Sequence, residues 1–278
     1  MLKKLFKQEW KSFSFAPMIT MILLAVFTVI LMSTFMTSFW EQSSNIFVEL
    51  FARLIIIAYI FCLAAVSFCI TICTAVRFYK NLFTDEGYLM FTLPVKTSEL
   101  LLSKILVAAL WRLISFVCIL LSILGIASVA AAYIADTSIV HFFREFWDLL
   151  KELFDMTWFQ LPVPLFFIWL ILLSIFSLFY EILFIHTCIC MGQLFHKHKI
   201  GGAILSYFGL RFAFRLFRQI LTIPFSDMFS YYSYSHMEEI TSGTWLLIMF
   251  ISLLVTGGLC ALMYCFCTYQ MSRKLNLD

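Results

Sequence analysis

Arg211, Arg215 and Arg218 stand at i, i+4 and i+7 in an otherwise apolar run, a spacing that puts all three guanidinium groups on one face of a helix. At membrane depth each such charge costs about 2.5–3.5 kcal/mol on insertion scales, so three together should face protein, water or a counter-charge rather than lipid. Three arrangements would satisfy them. They could line a translocation pathway that attracts anions. They could pair with an acid, for which Glu181 in the preceding apolar run lies at a nearly matching depth. Or the run could be broken, leaving Arg215 and Arg218 near the headgroups, where long side chains snorkel.

Other reactive types are sparse. His186 follows Glu181 at i+5, which places them about 140° apart on a helix and argues against an acid–base pair for an intramembrane enzyme. His196-Lys197-His198-Lys199 reads as a topology determinant, because the lysines repel a metal cation. The nine cysteines lie in or at the ends of apolar runs without a CxxC pair, which suits small core or lipid-facing residues better than disulfides or metal ligands. GxxxxGK[ST], HExxH, GxSxG and an EF-hand loop are all absent. No catalytic or metal site is expected, and any ATP drive must come from a partner.

The elements that would position these residues are membrane helices. Of 278 residues 63% are hydrophobic and 13% charged, against roughly 25% charged in an ordinary soluble domain. Six runs reach the roughly 20 residues a bilayer core demands, at about 17–39, 46–75, 105–134, 161–188, 200–224 and 244–269. The expectation is an all-α membrane protein forming a single transmembrane domain over 1–278, without internal repeats. Lys3 and Lys4 resemble the start of a signal peptide, but no small-residue cleavage site follows the first run, so it is read as retained.

Basic residues orient the spans. Lys3, Lys4, Lys7, Lys11, Arg77, Lys80, Lys96, Lys104, Lys197, Lys199, Arg273 and Lys274 all fall on one side, and the opposite connections are mainly acidic. Both termini are therefore expected in the cytoplasm. Within residues 1–16, Leu2, Phe6, Trp10 and Phe13 share one side and Lys3, Lys7 and Lys11 another, as in an interfacial amphipathic helix, although a plain basic flank would also fix topology. His141–Trp158 mixes aromatics and leucines with charges and predicts a second interfacial helix, on the outer face.

The connection 77–104 is too long and too patterned for a turn. Thr84 and Asp85 can cap a short helix from Glu86, Pro94 would interrupt it, and Thr97 with Glu99 can start the next. Exposed Tyr88, Leu89, Met90 and Phe91 could dock a soluble protein or simply sit among headgroups.

Tyr79-Lys80-Asn81-Leu82-Phe83, Asp85-Glu86-Gly87-Tyr88-Leu89 and Leu93-Pro94-Val95 through Ser103-Lys104 resemble the second-to-third helix connection of bacterial ABC-2 type transporter permeases. The order of helices along the whole chain agrees with that family. The resemblance implies a subunit in the bacterial cell membrane that pairs with a second permease subunit and docks a separate ATPase. That ATPase would use ATP and Mg, while this chain binds no cofactor and no nucleic acid. Asp85, Glu86, Gly87, Tyr88, Leu93 and Pro94 would form a cytoplasmic coupling helix inserted into the ATPase. Export of a hydrophobic or peptide-like substrate follows from the resemblance alone. The competing expectation is a membrane sensor or scaffold that uses 77–104 to bind a soluble partner, without substrate-dependent ATP turnover.

Overall fold

The computed structural model describes residues 2–36, 46–84, 87, 90, 95–134, 138–158, 161–195, 198–235 and 242–273, with the side chains of 48, 49, 218, 221–235, 242 and 273 outside that description. The described residues form α1 (Leu2–Phe13), α2 (Phe15–Met36), α3 (Ile46–Phe83), α4 (Thr97–Ile134), α5 (Ile139–Asp155), β1 (Thr157–Trp158), β2 (Leu161–Pro162), α6 (Val163–Gly192), α7 (Lys199–Ser235) and α8 (Ser242–Arg273). Six of these contain apolar spans long enough to cross a bilayer: Phe15–Met36, Leu50–Phe83, Thr97–Ile134, Val163–Gly192, Lys199–Phe217 and Gly243–Ser272. The chain is an all-α, multi-pass membrane protein. Its apolar helices carry large hydrophobic residues outward, among them Ile22, Val29, Phe61, Phe68 and Phe250, as lipid solvation requires.

Local chemistry sets the helix ends. Pro17 has no N–H to give to the Phe13 carbonyl, so the chain bends at Ser14 and α1 separates from α2. Lys96 O accepts the N–H groups of Glu99 (3.0 Å) and Leu100 (3.2 Å) at the start of α4, with the Glu99 carboxylate in the positive first turn. Pro164 occupies the first turn of α6, where no amide donor is needed.

Several helix ends differ from the hydropathy pattern, α7 for one running on to Ser235 past 224. The second span runs on past 75 to Phe83 and the third begins at Thr97 rather than 105, so the connection contracts from 77–104 to about 84–96. Nothing between Arg77 and Phe83 breaks a helix, and Phe78 and Leu82 are buried one turn apart. α3 and α4 have 38 residues each, about 57 Å at 1.5 Å per residue, well beyond a hydrocarbon core of about 30 Å.

The helices gather into two compact units. The first comprises 1–77 and 102–152, and the second 78–101 and 153–278. In the first, Leu24, Leu31, Tyr59, Cys62, Val66 and Ile70 form the core. Its helices are tied inside the apolar region by a polar knot, in which Ser122 Oγ lies 2.7 Å from both Thr28 Oγ1 and Tyr59 Oη, and by Arg112, which donates to Thr71 Oγ1 at 2.8 Å. Here α5 has no buried residue. Phe142, Phe143, Phe146, Trp147, Leu150, Leu153 and Phe154 fall along one half of it, and His141, Arg144, Glu145, Asp148, Lys151 and Glu152 along the other.

In the second unit α6 packs against α7 and α8, and its stretch Ile182–Cys190 is buried throughout. A Cβ on Gly192 would fall 2.6 Å from the Ala203 amide nitrogen, so α6 and α7 approach there at backbone distance. Trp169 Nε1–H donates to Ser252 Oγ (3.0 Å) and to the Met249 carbonyl (3.2 Å), fastening α6 to α8. The two-residue strands pair antiparallel just before α6, Thr157 opposite Pro162 and Trp158 opposite Leu161.

Candidate functional site

The connection between α3 and α4 belongs to the second unit and is braced at both ends. Phe78 stacks on His186 with ring centroids 3.8 Å apart and planes 15° from parallel. Both side chains are 1% exposed. Phe83 packs edge-on against Phe78 at 5.8 Å, and Leu82, Leu100 and Leu101 are buried beside them. At the α4 end, Tyr264 Oη–H of α8 donates to the Ser98 carbonyl at 3.2 Å. The connection is thereby fixed to α6 through an aromatic stack and to α8 through a hydrogen bond.

Gly87 shapes the reversal. Its N–H donates to the Thr84 carbonyl at 2.7 Å. A Cβ added there would meet the Leu82 carbonyl oxygen at 2.5 Å and its carbon at 2.7 Å, so only glycine lets the chain fold back this closely. Gly87 and Met90 have helical backbone. Asp85, Glu86, Tyr88, Leu93 and Pro94 lie outside the described residues.

A second charged arrangement lies in the first unit. The exposed side of α1 carries Lys3, Lys7 and Lys11, and Leu2, Phe6 and Trp10 are half-buried, in keeping with an amphipathic helix. Its buried line, however, is Leu5, Glu9 and Phe13. Glu9 Oε1 accepts from Lys104 Nζ at 2.5 Å, and Glu9 Oε2 accepts from an Arg77 guanidinium nitrogen at 3.4 Å. Glu9 is 6% and Lys104 7% exposed. The Arg77 guanidinium also lies over the Phe13 ring, 5.7 Å from its centroid. Trp10 stacks on Trp111 of α4 at 4.9 Å. Lys104 and Arg77, which flank spans in the sequence, are thus structural partners that clamp α1 onto α3 and α4.

Glu9, like the Phe78–His186 stack, is something that sequence reasoning missed. It is the only acid before the first span and sits in register with Leu5 and Phe13, an acid on an apolar line. That pattern was its available signal.

In the second unit, Arg211 makes a two-pronged contact with Glu181, its two terminal nitrogens donating to Oε1 at 3.1 Å and Oε2 at 3.0 Å. Arg211 also reaches Tyr207 Oη at 3.4 Å and lies over the Phe184 ring at 5.1 Å. α7 is continuous from Lys199 to Ser235, so all three arginines ride on one unbroken helix. Arg215 is exposed, and the Arg218 side chain lies outside the description. The geometry gives Arg211 and Glu181 to an intramembrane ion pair and leaves Arg215 apart from it. Among the described residues no three His, Cys, Asp or Glu side chains gather as a metal site. No protein-family model, no curated protein and no solved structure matches this chain.

Proposed function

We propose that the chain is the membrane-spanning permease subunit of an ATP-driven exporter in the bacterial cell membrane, with both termini in the cytoplasm. It pairs with a second permease subunit and takes its energy from a separate ATPase, docked at the connection between α3 and α4. The residue pattern from Tyr79 to Lys104 supports this, as does the crowding of Lys and Arg into the connections on that side. The observation that carries it is the bracing of the connection by the Phe78–His186 stack and the Tyr264–Ser98 hydrogen bond. A segment held at both ends transmits a push as a rigid body, whereas a slack loop would absorb it. α3 and α4 outreach the bilayer, which would present the segment to a soluble partner. ATP and Mg act on the partner, since the chain carries no phosphate-binding loop. The cargo of this reading is hydrophobic or peptide-like.

The test is purification of the tagged chain from its native membrane in mild detergent, with identification of companions and an assay for vanadate-sensitive ATP hydrolysis. A stoichiometric ATPase partner is expected. Recovery of the chain alone and inactive, under conditions that preserve a known complex in parallel, would replace the exporter with a sensor or scaffold. Reporters fused to each terminus check orientation, a fluorescent protein being expected to shine and a periplasmic phosphatase to stay inactive.

A further inference from the structure

The Glu181–Arg211 pair lies deep in the membrane and is only partly covered. α6 is described from end to end over the 30 residues Val163–Gly192. Glu181 stands about 17 Å from its Gly192 end and about 27 Å from its Val163 end at 1.5 Å per residue. A hydrocarbon slab about 30 Å thick contains it wherever the slab falls along the helix, and Arg211, bonded to it, shares its depth. Yet 44% of the Arg211 side chain and 32% of the Glu181 side chain stay uncovered. Glu181 accepts two of the five guanidinium N–H donors and Tyr207 Oη a third, which leaves two without an acceptor. Lipid tails cannot supply the missing oxygens.

The polar surface extends beyond the pair. Ser174 and Ser177 stand at i−7 and i−4 from Glu181, on its strip of α6, and both are exposed. The helices run antiparallel, Gly192 against Ala203 and Glu181 against Arg211, a register that sets Ser177 level with the exposed Arg215. Ile204 and Phe208, 54% and 66% exposed, continue the strip of Arg211 along α7. The span of α7 buries 6% of its residues inside the chain, against 11–22% for the other five. This face lacks a cover that hydrocarbon cannot provide.

A cover must bring a carboxylate and a cation to that depth. A second copy of this chain does so by symmetry. Inserted in the same orientation and related by a two-fold axis along the bilayer normal, it carries the same pair at the same level. The rotation reverses left and right across the contact, so each Arg211 faces Glu181 of the partner subunit. Four alternating charges close into a ring, and the small side chains of Ser174 and Ser177 let the helices approach.

We propose that the face of α6 and α7 bearing Ser177, Glu181 and Arg211 is the surface through which two copies of this chain pair. The proposal rests on the reading above only in its pairing of permease subunits. It names the surface, makes the second subunit identical, and requires neither the ATPase nor the cargo.

The double swap Glu181→Arg with Arg211→Glu tests this. Native and swapped full chains are co-expressed with different tags and isolated in mild detergent. Native with native and swapped with swapped should co-purify, because either ring alternates in charge. Native with swapped should fall about tenfold below the like pairs, because like charges then meet across the contact. Mixed pairs as abundant as like pairs would overturn the surface and leave pairing to another face. Should the swapped chain fail to accumulate, the native sequence decides: benzoylphenylalanine placed at Phe208 and irradiated in the membrane should give a covalent product carrying both tags of two co-expressed copies, and absence of that product would overturn the surface. Absence of like pairs beside a retained ATPase would overturn the surface and spare the exporter reading. Like pairs that exclude the swapped chain, recovered without any ATPase, would support the surface and overturn the exporter.

Discussion

Lys104 Nζ donates to Glu9 Oε1 at 2.5 Å, joining residues 95 positions apart in the chain inside a pocket that leaves neither side chain more than 8% exposed. A buried charge pair of this kind adds little over apolar packing of the same shape, yet breaking it is costly because one charge stays behind without its partner. Its value is positional. It sets which turn of α1 sits on α4, and Arg77 repeats the setting from α3.

Glu9→Gln should therefore lower thermal stability in detergent and loosen α1, with removal of the buried counter-charge costing about 3–5 kcal/mol. Glu9→Leu with Lys104→Met should recover most of the loss. Labelling a cysteine placed at Phe13 with a water-soluble maleimide reports the loosening. If Glu9→Gln left both the melting point and the labelling rate unchanged, the clamp would carry no weight.

The stack between α3 and α6 predicts a larger effect at one residue. Phe78→Ala should cost about 3–5 kcal/mol, as for other buried aromatic truncations. Equilibrium unfolding in denaturant-doped micelles measures it. A cost below about 1 kcal/mol would mean that α6 closes over the gap, and the brace would then be too soft to transmit motion.

Gly87→Ala tests shape without altering a polar or charged side chain, because the added methyl collides with the Leu82 backbone. On the exporter reading the chain should still insert, while the ATPase recovered with it falls several-fold. Full recovery of the ATPase with Gly87→Ala would move the docking surface away from the connection.

Paired spin labels locate α5. Trp147 and Asp148 are neighbours about 100° apart around the helix. In bilayers, a label at Trp147→Cys should relax faster with oxygen, and one at Asp148→Cys with a water-soluble paramagnet. Equal responses would mean that α5 stands clear of the lipid surface.

The six spans were legible because hydrocarbon thickness writes itself into sequence as apolar length. Their ends were less so. Hydropathy reports where the slab stops, not where the helix stops, and α3 and α4 continue as helices through Arg77, Lys80 and Lys104, residues whose charge reads as an exit from the membrane. The Arg211–Glu181 pair could be anticipated from matched depth on consecutive spans. Phe78 and His186 could not, since a phenylalanine and a histidine on distant helices leave no periodic trace of being stacked. Glu9 fell between these cases. Its register was visible, but the lysine on its other side belongs to α4, and basic residues at a membrane boundary already have an ordinary explanation.

The ion pair between α6 and α7 also bears on biogenesis. Glu181 precedes Arg211 by 30 residues, an interval of about 2–6 s at ribosomal rates of roughly 5–20 residues per second. Inserted singly, each helix would bring an uncompensated charge into hydrocarbon. Entered as a hairpin, the two charges arrive neutralised, and the close approach at Gly192 and Ala203 lets the arms fold together early. The sixth and seventh helices should therefore enter as a single unit of insertion, and a ribosome stalled before Arg211 should leave α6 poised at the translocon rather than released into the bilayer.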